Sequence, residues 1–320
     1  MRVPVVHHPA YVAPLPPAHR FPMPKFARLL ACLRETGLLL PSQEFVPEPA
    51  PRGWLELAHA GSYVTAILEG RLEPAAERRL GLPLSPALAM RARCAVAGTV
   101  LAARLALEHG VACNTAGGSH HAFAGFGSGF CVFNDVAVAA ALLLAEGLVG
   151  RVLVFDLDVH QGDGTAAIFA GDPSVFTLSL HGRGNFPFRK CASDLDVELA
   201  DGTDDARYLA ALHAALPHAL GRAAPDLAIY LAGADPYAGD RLGRLALSKA
   251  GLAARDRCVL ATLRDAGVPV AIAMAGGYAD AIDDIVDIHA ATVTIAWERW
   301  RREGADACPG KPRVRARVAC

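Results

Sequence analysis

Val152-Leu-Val-Phe-Asp156-Leu-Asp158-Val-His160-Gln-Gly-Asp163-Gly-Thr165 runs from an apolar, strand-forming segment straight into three side chains that can ligate a metal. On an extended chain of period two, Asp156, Asp158 and His160 stand at i, i+2 and i+4 and leave the same face. Two carboxylates and one imidazole offer a divalent cation three ligands and leave a position open, the arrangement of a catalytic rather than a structural zinc site. An Asp-x-Asp at a strand end can equally be a plain cap or turn. Three ionisable groups at the end of a Val/Leu/Phe strand need an ion or partner charges to compensate their burial, and that requirement favours metal.

The 320 residues, 53% of them hydrophobic, can bury one large core, so a single domain over 1–308 is expected. A formal net charge of -1 gives no overall field to attract nucleic acid or an anionic membrane, although residues 309–320 form a short basic tail, expected to be solvated and disordered. The eight cysteines contain no CxxC pair and sit in apolar and loop contexts, as suits reduced thiols in a cytoplasm. No apolar run reaches the ~18 residues of a membrane span, and the N-terminus lacks a long apolar segment. A soluble, cytoplasmic protein is the expectation.

Outward from the opening stretch, strands and helices alternate. Strands are predicted at 2–6, 111–114, 174–180, 226–231 and 268–273, besides the one ending in Asp156 to His160. Helices are predicted at 26–36, 63–68 with Ser62 as cap, 86–109, 136–146 capped by Asn134 or Asp135, 164–170, 209–221, 250–266, and from Tyr278 to about Trp300. The proline-rich segment 7–24 reads as a long loop that forms a rim or lid. Such alternation implies a three-layer α/β/α fold around a largely parallel sheet. Each chemically promising residue follows a strand, so the stretches around His120, Asp158, Asp235 and Tyr278 should meet in one crevice at the carboxyl edge of the sheet.

Singly these stretches say little, because paired histidines, an Asp before Pro and a Gly-Tyr turn all have ordinary structural uses. Their order along the chain is what carries information. Gly117-Gly-Ser-His-His121, Gly129-Phe-Cys-Val-Phe-Asn-Asp135, Asp156-Leu-Asp-Val-His-Gln-Gly-Asp-Gly-Thr165, Ser179-Leu-His181, Gly233-Ala-Asp235 and Gly276-Gly-Tyr278 together resemble the metal-dependent histone deacetylase family of the arginase/deacetylase fold. Gly182-Arg-Gly-Asn-Phe186-Pro, Ser193-Asp-Leu-Asp196, Asp201-Gly-Thr-Asp204 and Gly239-Asp-Arg-Leu-Gly-Arg244 look most like its class IV branch and bacterial relatives.

The resemblance implies zinc held by Asp158, His160 and Asp235, with Asp156 behind His120 and Asp163 behind His121. It also implies a structural K⁺ held by Asp156 and by main-chain oxygens around Asp158, His160, Ser179 and Leu180. The reaction implied is hydrolysis of an ε-N-acyl-lysine amide in a protein or peptide, with acetylpolyamines or other small acylated amines as the alternative substrates. His121 would be the general base and then the acid, His120 would act through charge and hydrogen bonding, and Tyr278 would donate to the oxyanion. Gly129, Phe130, Phe186 and Leu242 would form the substrate channel, whose apolar lining suggests acceptance of acyl groups longer than acetyl. Two departures from the family pattern stand out. Segment 79–85 lacks the rim Asp that in several relatives grips the substrate backbone, and Leu242 stands where polyamine-specific relatives carry an acid. An arginase-like hydrolase would need a second metal, for which no further ligand set is evident, and a catalytically dead scaffold would be expected to have lost one of these residues.

Overall fold

A computed structural model describes residues 3–17 and 19–301, so the tail 309–320, Cys308 and Cys320 lie outside the described residues. Eight strands build one sheet: β1 (Val5–Val6), β2 (Glu44–Phe45), β3 (Val111–Asn114), β4 (Val152–Asp156), β5 (Val175–Gly182), β6 (Leu195–Leu199), β7 (Leu227–Leu231) and β8 (Val270–Ala273). Their order is β2-β1-β3-β8-β7-β4-β5-β6, and every ladder is parallel. The four strands that precede the candidate residues, β3, β8, β7 and β4, are therefore neighbours in the middle of the sheet. Because they are parallel, their carboxyl ends open on the same edge.

Alternate strand residues divide between two separate cores, as a sheet covered on both faces requires. Ala112, Val152, Val154, Ile229 and Ala271 pack into one core under the helices Pro86–His109 and Asp135–Ala145. Val111, Leu153, Phe155, Tyr230 and Ile272 pack into the other, against the helices Lys25–Glu35, Asp205–Ala223, Lys249–Asp265 and Ile282–Arg301. The long helix Pro86–His109 starts at Ser85, whose Oγ accepts from Leu88 N at 3.1 Å. No helix among the described residues is long and apolar enough to cross a membrane.

Local differences from the sequence reading have simple causes. β4 ends at Asp156, so Asp158 and His160 are held on the loop beyond the strand and not on its extended face. Ser62 caps nothing: its helix begins at Gly61, after Ala60, without a side-chain cap. Asn134 is the cap of its helix, accepting from Ala137 N at 2.9 Å, which releases Asp135 for another task. The edge strand β6 is not anticipated from the sequence: its Leu-Asp-Val-Glu-Leu alternation is short, and only its last residue is buried.

His59 ties the loop before the site to the helix after it. Its buried ring donates from Nδ1 to Phe123 O (3.0 Å) and accepts at Nε2 from Asn134 N (2.9 Å), so only the neutral imidazole satisfies both partners. Burial pulls its pKa from 6.5 down to about 4. A histidine neutral in the fold and free to protonate when unfolded stabilises fully above its unfolded pKa, and that contribution is lost as pH falls from 6.5 towards 4. Urea unfolding should therefore show the stability lost between pH 7 and pH 5 reduced by roughly 1–2 kcal/mol in His59→Gln relative to wild type. An identical pH dependence in the two proteins would contradict this role.

Candidate active site

At the carboxyl ends of the four central strands, seven buried ionisable groups converge: Asp156, Asp158, His160 and Asp163 after β4, His120 and His121 after β3, and Asp235 after β7. Tyr278, also buried, follows β8 and shares a cavity wall with His121 and His160. Every stretch expected at the crevice is there.

Asp158, His160 and Asp235 form the one cluster of possible metal ligands found among the described residues, with a donor atom of each within 4.8 Å of the others. His160 Nδ1 lies 2.9 Å from Asp158 Oδ1 and 3.2 Å from Asp235 Oδ2. Backbone amides fix the remaining oxygens, Gly276 N donating to Asp158 Oδ2 (2.8 Å) and Val159 N to Asp235 Oδ1 (2.9 Å). Asp235 Oδ2 is buried with no well-formed hydrogen bond and faces the His160 ring nitrogen at 3.2 Å, a pair of ligand atoms between which a cation would fit. A side chain at Gly276 would drive its Cβ into the carboxylates of both Asp235 and Asp158, so that glycine keeps the cradle open. Burial and the charge of Asp158 push Asp235 up to about 7. Burial also works against the charged form of His160, but the two carboxylates outweigh it and hold that imidazole up to about 10. That pull on a proton marks the place where a cation would sit, and to ligate it His160 would give up its Nδ1 proton. The donor set and its unsatisfied oxygen fit a divalent metal.

Asp156 does not join this cluster as the strand-face reading had it. With the strand finished at its own position, its carboxylate turns to His120 Nδ1 at 2.6 Å, and its other oxygen accepts from Asp158 N at 3.1 Å. Asp163 makes the same 2.6 Å contact with His121 Nδ1. In both rings Nδ1 must donate, which leaves Nε2 for the site. The two histidines nevertheless differ in charge. Burial lowers both, but Asp156 and Asp158 overcome it at His120 and raise the pKa to about 9, whereas His121, beside the charge of His120, falls to about 4. One imidazole therefore carries a proton and the other holds a free lone pair. Tyr278 is driven well above its ordinary range by burial and by Asp158 and Asp235, so its hydroxyl stays a donor.

Gly129, Phe130, Phe186 and Leu242 all line the cavity of about 340 Å³ that leads from the surface to His121, His160 and Tyr278. Phe186 packs edge-on to His121 with ring centroids 4.8 Å apart, and Phe130 sits 5.9 Å from Tyr278. Gly129, at φ 52°, is confined between them: an added Cβ would lie 2.6 Å from His121 Cδ2 and 3.0 Å from Phe186 Cε1. Ser179 and Leu180 lie on β5 beside the cluster, Ser179 opposite Asp156 in the ladder register. Asp135 braces the His120–His121 loop by accepting from Gly118 N (3.0 Å) and Ser119 N (2.7 Å).

Three residues that position the site receive no site role from the sequence, although Asp240 falls within the stretch Gly239 to Arg244 that carries the resemblance. Asp240 accepts from the amides of Tyr278, Leu242 and Gly243, joining the Tyr278 turn to the channel wall. Arg255, fully buried in a segment that reads as a charged helix surface, donates to Gly233 O at 2.6 Å beneath the Asp235 loop and pairs with Asp256 at 2.8 Å. Lys25, in the first turn of a helix far away in sequence, donates to Ala275 O (3.1 Å) and Gly277 O (3.3 Å) and so grips the Gly-Gly turn before Tyr278. Burial lowers its pKa to about 8 against the pull of Asp235 and Asp158.

The chain is similar to known proteins over most of its length. Residues 19–293 match the histone deacetylase domain. An uncharacterized protein of Picosynechococcus sp. is 53% identical, the alignment covering 90% of this chain and 96% of that protein. Histone deacetylase 2 of Arabidopsis thaliana is 31% identical over 81% of this chain and 70% of its own length. Among solved structures, an HDAC homologue complexed with SAHA superposes with a TM-score of 0.76 at 25% identity over 94% of this chain and 85% of that one. An acetylpolyamine aminohydrolase from Burkholderia pseudomallei shares the fold, with a TM-score of 0.74 at 20% identity over 92% and 98% of the two chains.

The grip of Lys25 gives a direct prediction. Lys25→Met keeps the length of the buried stem but leaves two carbonyls without their donor, so urea unfolding should register a loss of about 1–3 kcal/mol. Unchanged stability would show that the ammonium does not hold the turn.

Proposed function

This chain belongs to the histone deacetylase family, and from that premise we propose that it is a zinc-dependent hydrolase that removes the acetyl group from ε-N-acetyl-lysine. The observation that carries the reading is the pairing of two carboxylate-backed histidines with a ligand cluster and Tyr278 around one cavity. Zinc held by Asp158, His160 and Asp235 would polarise the acyl carbonyl and acidify the attacking water.

Each protein group then has a task that its environment suits. His121, neutral and with Nε2 free, takes the proton of the attacking water and delivers it to the leaving amine. Protonated His120 supplies fixed positive charge close to the developing oxyanion. Tyr278, kept protonated, donates its hydroxyl to that oxyanion. Phe130 and Phe186 enclose the aliphatic lysine stem and keep water from it. Asp156, with main-chain oxygens around Asp158, His160, Ser179 and Leu180, is the proposed K⁺ site. Its support is the adjacency of Asp156 and Ser179 across β4 and β5.

A second cavity of about 30 Å³ shares His121, Gly129, Phe130 and Tyr278 with the first and continues to Gly118, Asp158 and Gly276. Space on this scale takes a group about the size of one water molecule. That supports acetyl in preference to the longer acyl groups that the apolar channel residues suggest. A small acetylated polyamine is the alternative substrate. Against it, no carboxylate lines the larger cavity to attract a second amine.

Two outcomes are expected. Tyr278→Phe should fold and bind substrate but lose about 10²-fold or more in kcat, because its donor acts on charge present only in the transition state; normal turnover would remove Tyr278 from the reaction. On one lysine peptide, kcat/KM should fall from acetyl through butyryl to octanoyl and exceed that for an acetylated polyamine. A rise with chain length, or faster hydrolysis of the polyamine, would overturn the substrate assignment.

A further inference from the structure

The mouth of the large cavity is strongly cationic although the whole chain carries a net charge of -1. Arg20, Arg78, Arg79 and Arg244 line it, and no Asp or Glu does. They arrive from three separate segments: the loop before the first helix, the last turn of the helix Pro74–Leu80, and the loop after Asp240. Arg244 is engaged by Asp201 at 3.3 Å, and nearby Arg241 by Asp280 at 3.2 Å. Among the described residues, Arg20, Arg78 and Arg79 have no carboxylate partner. All three are exposed. The Arg20 guanidinium lies over Phe130 at 5.1 Å and that of Arg79 over Phe126 at 4.6 Å. Stacking uses the face of the guanidinium and leaves its in-plane N–H groups for an anion. A place in the last turn suits Arg78 and Arg79 to the helix dipole, but Arg20 comes from another segment and no dipole accounts for it.

We propose that this collar of guanidinium groups selects acylated amines that carry carboxylate or phosphate near the scissile amide, foremost acetyl-lysine in an acidic sequence context. The inference rests on the deacetylase reading of the same site and specifies its substrate class. Like charge at the rim repels lysine-rich peptides and polyamines, while acidic neighbours of the acetyl-lysine gain several charge-assisted contacts at once. The apolar channel below then receives a stem that has become neutral by acetylation.

The test uses acetyl-lysine peptides of one length whose flanks are aspartate, phosphoserine, serine or lysine, together with free acetyl-lysine as carboxylate and as amide. Binding is read by fluorescence anisotropy or calorimetry on the zinc-loaded Tyr278→Phe enzyme, and turnover on wild type. At low salt the acidic peptides should bind at least ~10-fold more tightly than the lysine-flanked one, a preference that shrinks at ~0.5 M salt where the screening length drops to a few ångströms. The triple variant Arg20→Gln/Arg78→Gln/Arg79→Gln should narrow it to about 2-fold, consistent with a modest contribution from each exposed pair. Aspartate against phosphoserine, and free carboxylate against amide, identify which anion source the collar prefers. Equal binding of all peptides, tighter binding of the lysine-flanked one, or a preference untouched by the triple variant overturns the proposal. If binding follows the charge order but wild type hydrolyses none of the peptides, the collar stands and the deacetylase reading fails. Hydrolysis without the charge order removes the collar and leaves the deacetylase reading in place.

Discussion

Four carboxylates and three imidazoles are buried within a few ångströms of one another at the edge of an otherwise apolar sheet, and the surrounding structure can be understood as the means of keeping them there. Isolated buried charges of this kind would cost several kcal/mol each. The cluster survives because each group is given a partner: Asp156 to His120, Asp163 to His121, Asp158 and Asp235 to His160 and to backbone amides. One oxygen of Asp235 remains without a well-formed hydrogen bond, and there the balance calls for a cation. The same crowding shifts the two neighbouring histidines in opposite directions, His120 up and His121 down, the asymmetry on which the proposed acid-base roles draw.

Parallel topology makes the convergence possible. Four adjacent strands deliver their loops to one edge, and the helices on both faces bury the strands so completely that the loops start from fixed points. A further set of polar groups holds the loops from outside the cluster. Arg255 supports the turn at Gly233, Lys25 the turn at Gly277, Asp240 the backbone of Tyr278, and Asp135 the His120–His121 loop. Lys25 also sets its ammonium over the Tyr278 ring, 5.4 Å from the centroid. The effect of the four is to hold the histidines and the tyrosine at a set spacing, on which rates depend steeply.

Much of this was legible in the sequence because the residues involved announce themselves by type and position. The strand at 111–114, the helix at 86–109 and the stretches at Asp158, Asp235 and Tyr278 all follow from apolar periodicity ending in polar residues. Local reasoning misplaced Asp156, since an i, i+2, i+4 pattern implies a shared face only while the strand continues, and here it stops at Asp156 itself. Lys25 and Arg255 stayed hidden for a different reason. Each acts on a carbonyl far away in sequence, and a lysine or arginine on a helix reads locally as a solvated charge. The rim was visible as a missing Asp in segment 79–85, but only the fold shows that Arg20, Arg78 and Arg79 come together at the mouth of the cavity.

Asp158, His160 and Asp235 are proposed to hold one metal ion. Anomalous diffraction above and below the zinc edge, from crystals of protein loaded with zinc, tests it most directly. One strong peak per chain is expected, within bonding distance of Asp158, His160 and Asp235, with Asp156 and Asp163 still on their histidines. A pair of peaks a few ångströms apart, or a peak that takes Asp156 as a ligand and leaves Asp235 free, would contradict it.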